Sequence, residues 1–170
     1  MLGRRWRRHR RLASPFATAC YPFSIAFSPA GVLLATADYD CPAVSMFSVG
    51  AGEALHEVPG SRFSSGALPE SVAFSPGGGL LADANADGYS VSVFSVGAAG
   101  ALTPVPGSPF ATGKNPSSVA FSPGGGLLAV ANADANSVSV FSVGAADDCS
   151  LPQTSMATRC QCSPLMRVGR

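Results

Sequence analysis

The chain has 170 residues, 46% hydrophobic and only 12% charged, with a formal net charge of +1. The length suits one ordinary globular domain, and the near-neutral total hides a basic head on an acidic body: six of the 11 Lys and Arg lie in residues 4–11, three in residues 159–170, and only Arg62 and Lys114 stand among the ten acidic residues between. Such a body excludes a nucleic-acid surface, and no apolar run approaches the roughly 18 residues of a membrane-spanning helix.

The first segment, MLGRRWRRHRRL, carries the charge of a signal-peptide n-region. The place for its apolar h-region is broken by Pro15 and Pro22. Residues 14–18 (SPFAT) also return as residues 108–112, so they read as repeat material. Cleavage near Ala19 would cut into a repeat, which also weakens residues 17–20 (ATAC) as a lipoprotein site. Residues 1–13 therefore read as a basic N-terminal tail.

The repeat itself is nearly exact. Residues 71–98 and 118–145 differ at only three of 28 positions, Asp83 for Val130, Gly88 for Ala135 and Tyr89 for Asn136. A looser copy sets Phe27, Ser28 and Pro29 47 residues before Phe74, Ser75 and Pro76, which in turn stand 47 before Phe121, Ser122 and Pro123. A fixed period of this length marks stacked units that cannot bury their apolar faces alone. The units span about 14–60, 61–107 and 108–146, and residues 147–170 read as an irregular or disordered tail.

Within the second unit, Val72 and Phe74 alternate with Ser71, Ala73 and Ser75, predicting a strand over 71–75. Pro76 and Gly77 to Gly79 supply turn chemistry, and a second strand follows over 80–85. Asp87 and Gly88 turn the chain into a third strand over 90–96, and 101–106 (ALTPVP) predicts a fourth, whose prolines suit only an outer edge. Residues 107–116 (GSPFATGKNP) link to the next unit. After Ala146 the counterpart of ALTPVP is missing, so the last unit lacks its outer strand. Nine of the ten phenylalanines occupy three columns, Phe16/Phe63/Phe110, Phe27/Phe74/Phe121 and Phe47/Phe94/Phe141, and read as packing between units.

With its SVAFSP and SVSVFSV strands and its linking GSPFATG, this pattern resembles the YVTN-type β-propeller repeat and is similar to the seven-bladed lactonase family, 6-phosphogluconolactonase-like, over residues 14–146. The resemblance implies an all-β fold, a partial β-propeller of three four-stranded antiparallel blades with a 47-residue period. Two departures stand out. The usual Pro-Asp-Gly turn is Pro76-Gly77-Gly78, Pro123-Gly124-Gly125 and Pro29-Ala30-Gly31, and the aromatic of the Tyr-Val-Thr-Asn motif is Ala35, Ala82 and Ala129. Either neighbours fill the space left by the aromatic or the blades pack loosely, at a cost of about 2 to 5 kcal/mol per site. Propellers close with about four to eight blades. Three blades leave two apolar faces bare, forfeiting roughly 10 kcal/mol of burial each, which predicts either self-association, as in two chains completing a six-bladed ring, or aggregation.

Candidate chemistry is sparse. Asn132, Asp134 and Asn136 stand at alternate positions like the opening of a calcium loop, but the sixth-position Gly and twelfth-position Glu are missing, so they read as a polar turn. Asp83, in mid-strand where Val130 stands later, lines a channel or blade edge or destabilises its blade. Five cysteines, Cys20, Cys41, Cys149, Cys160 and Cys162, are odd in number and do not recur with the repeat, which argues against a disulfide framework. Cys160 and Cys162 form a C-x-C without a second ligand pair. His9 lies in the arginine run.

The lactonase reaction implied by the resemblance would need Glu, Arg and His groups converging on a channel. His56, Arg62, Glu53, Glu57 and Glu70 cluster in or just after the first unit's outer strand, on no matched catalytic motif. No catalytic, cofactor-binding or metal residue and no cofactor is therefore predicted. The sequence favours a non-enzymatic structural or interaction module, whole or a gene fragment, with a protein or carbohydrate ligand; the alternative is a lactone hydrolase active only in a completed propeller. Localisation stays open between a secreted or cell-surface place, which the resemblance implies, and the cytoplasm.

Overall fold

The computed structural model describes residues 15–18, 20–144 and 166–168, the last as backbone. Three antiparallel sheets follow one another along the chain. The first contains β1 (Pro22–Phe27), β2 (Leu33–Asp38), β3 (Ala43–Val49), β4 (Leu55–Glu57) and β5 (Phe63–Ser64). The second contains β6 (Pro69–Phe74), β7 (Leu80–Asn85), β8 (Ser90–Val96), β9 (Leu102–Pro104) and β10 (Phe110–Ala111). The third contains β11 (Pro116–Phe121), β12 (Leu127–Asn132), β13 (Ser137–Val143) and β14 (Met166–Val168).

Each blade is a meander because its turns are chemically fixed. Gly31, Gly78 and Gly125 take positive φ values of 71°, 74° and 74° in the first turn, the region open to glycine at no steric cost. The Ser28, Ser75 and Ser122 hydroxyls accept the amides of Leu33, Leu80 and Leu127 at 3.0 to 3.1 Å, pinning the start of each second strand. A missing Asp in this turn is thus harmless, since Gly77 and Gly124 face open space.

Two differences from the sequence reading concern the outer strand. Its place is shared: β9 pairs with Phe94 to Val96 of β8, while β10, part of the linking GSPFATG, pairs with Val91 and Ser90. The Ser108 hydroxyl accepts the Val93 amide at 2.9 Å, and Ser61 does the same for Met46. The second and third linking segments are therefore each bound to the blade before them. In the third blade the outer place is not empty, as β14 pairs with Phe141, Ser142 and Val143 of β13 in the register that β9 uses on β8. A strand formed so far along the tail has no counterpart in the repeat, and the period gives no sign of it.

The blades stack face to face around two apolar seams. The first joins Ala35, Ala37, Val44, Met46 and Val58 to Val72, Leu81, Phe94 and Leu102. The second joins Ala82, Ala84, Val91, Val93 and Val105 to Val119, Leu128, Val130 and Phe141. Ala35 and Ala82 are fully buried, so neighbours fill the room that a larger aromatic would take. Six of the nine column phenylalanines serve these seams, Phe63, Phe74 and Phe94 in the first and Phe110, Phe121 and Phe141 in the second, with Phe110 and Phe141 in tilted contact at 6.1 Å between centroids. A hydrogen bond marks each inner edge: the Val72 amide donates to Ser24 Oγ at 3.3 Å, and the Val119 amide to Ser71 Oγ at 3.2 Å.

Cys20 and Cys41 form a disulfide, with Cα atoms 6.0 Å apart. Parity and periodicity pointed the other way. The bridge arises because β1 and β2 pair Pro22 with Asp38, which sets the residues just before one strand and just after the other side by side. Cys149, Cys160 and Cys162 lie outside the described residues, as does His9.

Candidate functional site

A recurrent bulge builds one end of the molecule. The register slips between Pro22 and Ser24, between Pro69 and Ser71, and between Pro116 and Ser118, so Phe23, Glu70 and Ser117 are left without ladder partners. A bulged residue bends its strand and re-aims its side chain. These three positions gather at the end where the second strands turn into the third, and here the three blades stop being copies.

Blade one contributes an aromatic trio. Phe23 stacks on Tyr39 at 5.3 Å, and Tyr21 meets Tyr39 edge-on at 6.3 Å. Tyr21 and Phe23 are exposed. Beside them lies a cavity of about 230 Å³ lined by Tyr39, Leu68, Glu70, Asp87, Tyr89 and Asp134, among others. Burial pushes the Glu70 carboxyl up from its ordinary value, and the Asp134 carboxylate adds to the shift. Asn115 donates to Asp134 Oδ1 at 3.1 Å. Leu68 and Tyr89 hold left-handed φ values of 52° and 45°, a conformation rare for bulky residues. Chemically the site offers aromatic faces and carboxylates, suited to holding a sugar ring or a cationic side chain.

The calcium-like series does not converge. Asn132 turns inward to Ser137 and Ser139 at 3.2 and 2.9 Å, Asp134 faces Asn115, and Asn136 takes φ 47° in the turn. Among the described residues no group of three His, Cys, Asp or Glu is placed to hold a metal.

Asp83 lies in the first seam. It is fully buried, accepts a short hydrogen bond from Ser65, and leaves Oδ1 without a partner. Loss of hydration drives its carboxyl well above the usual range, the Ser65 bond opposes this, and the Asp38 carboxylate reinforces it. Asp38 is itself satisfied by Thr36 at 2.8 Å and Ser45 at 2.5 Å.

The lactonase-type residues are dispersed. His56 sits exposed on β4 opposite Ser48, Glu57 is exposed beside it, and Arg62 lies in the following turn. The Glu53 side chain lies outside those described, and among the described side chains of this set only Glu70 reaches the turn-face cavity. Sequence reasoning missed this face, although a signal existed: Phe23 is the one phenylalanine outside the three columns. A larger groove of about 530 Å³ opens at the opposite strand ends, between the first two blades, lined by Val32, Leu33, Val96 and Gly100 among others.

No protein-family model matches the chain, and no curated protein matches it. Solved structures do. A proposed 6-phosphogluconolactonase from Bacteroides uniformis superposes with a TM-score of 0.67 at 21% identity, over 76% of this chain and 38% of that one. A second from Bacteroides fragilis gives 0.63 at 24% identity, over 71% and 34%. The periplasmic gluconolactonase of Pseudomonas aeruginosa gives 0.60 at 24%, over 71% and 35%. The fold is that of part of a β-propeller. At these identities the likeness shows the fold alone, and the chain spans about a third of the length of these propellers. Among the described residues no helix is long and apolar enough to cross a membrane.

Proposed function

We propose that this propeller segment is a non-enzymatic module that binds a protein or carbohydrate ligand at its turn face and self-associates through its open blade faces. The observation that carries the reading is the turn face itself. Tyr21, Phe23 and Tyr39 stand there with Tyr89, Glu70, Asp87 and Asp134, while His56 and Arg62 lie on or beside the outer strand. Aromatic faces beside carboxylates hold ligands; without a converging base and electrophile they do not open an ester.

The test pairs binding with turnover. Titration with neutral oligosaccharides and with lysine-rich peptides should shift backbone resonances of Tyr39, Glu70 and Tyr89 for one ligand class, and Tyr39→Ala should weaken that binding about tenfold. Incubation of the associated protein with 6-phosphogluconolactone and simple lactones should show no rate above buffer. A clear rate would overturn the module reading in favour of a lactone hydrolase.

A further inference from the structure

The linking segment recurs at Phe16, Phe63 and Phe110, and two of the three copies have a defined place. Phe63 and Ser64 pair with Val44 and Ala43 of β3, and Phe110 and Ala111 pair with Val91 and Ser90 of β8. Each caps the third strand of the blade before it. The first copy, Phe16 and Ala17, is exposed and is part of no strand. At the other end of the arc, Ser137 and Val138 of β13 occupy the columns of Ser90 and Val91, and no described strand pairs with them on that side; β14 reaches only Phe141 to Val143.

The surrounding faces match in the same way. Val138 is 63% exposed where Val91 is wholly buried, and Leu127 and Val140 are exposed beside it. Ile25 is 63% exposed where its counterparts Val72 and Val119 are 5% and 7% exposed, and Phe27 is exposed with it. Ser118, the next hydroxyl in the series that accepts inter-blade amides, is also exposed. What covers such a face inside the molecule is known twice over: the inner strand and linking segment of the adjoining unit.

We propose that a second copy of this chain adds its linking segment to the edge of β13, with Phe16 opposite Val138 and Ala17 opposite Ser137. The partner's Ile25 amide then donates to Ser118 Oγ. The inference rests on the self-association reading above and assigns it a joint. The contact is heterologous, head to tail, so it closes a ring if the rotation per blade allows and otherwise extends; two chains would give six blades, within the usual range. Leu34 and Phe47, at the centre of the first blade's outward face, are already buried in the single chain. The joint is consequently narrower than the two internal seams, and association should be reversible and concentration-dependent.

The test is photo-cross-linking in the full chain. Chains with p-benzoylphenylalanine in place of Phe16 are mixed with uniformly 15N-labelled chains, irradiated, and digested, with sedimentation velocity run in parallel. The expected product joins the light peptide bearing position 16 to a heavy peptide containing Ser137 and Val138. Val138→Asp should weaken association at least tenfold, and so should Ala17→Pro, which leaves the apolar faces intact. Association with adducts elsewhere, or only within one chain, would overturn the strand addition while leaving self-association standing. A monomer at all concentrations would overturn both.

Discussion

Asp83 shows how a single residue spoils an otherwise copied unit. In the third blade the same position is Val130, buried in the apolar seam; in the second, a carboxyl sits there with one oxygen unpartnered. Since burial raises its folded-state pKa, the unfolded chain ionises first as pH rises. The penalty vanishes only well below the ordinary Asp value of about 3.9, where the unfolded carboxyl is protonated too, and stability falls as pH climbs through and above that value. Asp83→Val should therefore stabilise by on the order of 1 to 3 kcal/mol at neutral pH, and by much less near pH 3.5. Ser65 keeps Asn85 Oδ1 as a partner at 3.0 Å after the change. Urea denaturation at the two pH values checks this; an equal gain at both would sink the argument.

The strands of the second blade were nearly all legible. β7 and β8 fall at 80–85 and 90–96, the bounds expected from the sequence. β6 starts two residues earlier than alternation indicates, because the bulge at Glu70 breaks the period of two before the pairing ends. The outer strand is shorter than predicted, at Leu102–Pro104, and β10, too short to carry a periodicity of its own, takes the rest of its place on β8. Hydrogen-bonding glycines were equally invisible. A Cβ on Gly66 would stand 2.5 Å from Asn85 Cγ, where the Gly66 amide donates to Asn85 Oδ1 at 3.0 Å. Gly66→Ala should cost about 1 to 3 kcal/mol, whereas Gly124→Ala, in open space, should fall within about 0.5 kcal/mol of the parent. Thermal unfolding compares them, and equal costs would contradict the close approach.

The disulfide acts on the same scale. It ties the start of β1 to the turn after β2, across a separation of 21 residues. Cys20→Ser, Cys41→Ser and the double change should each lose about 3 kcal/mol, the double no more than either single, because one bond is at stake. Denaturation with and without a reductant measures it. Additive losses would mean that the thiols act separately.

For the whole molecule, the repeat made the blade architecture legible and left the site obscure. Copies agree where they pack, so the phenylalanine columns announced the seams. They disagree at the turn face, where Tyr21, Phe23 and Tyr39 meet only after the strands pair. Aromatics scattered through one unit carry no spacing that marks them as neighbours. The second blade's face toward the third and the third blade's open face are likewise nearly the same sequence, told apart by what lies against them.

The pairing of each linking segment with the blade before it bears on how such a chain grows. A cut that falls between a third strand and its linking segment separates cap from acceptor, and joining the cut ends one period on restores a cap of the same kind to an acceptor of the same kind. Unequal recombination between residues 71–98 and 118–145 would thus insert or delete a period with new neighbours only at the three positions where the copies differ, Asp83/Val130, Gly88/Ala135 and Tyr89/Asn136. What the gene copied is a hinge of masonry rather than a brick, and blade number is free to drift while every course still locks.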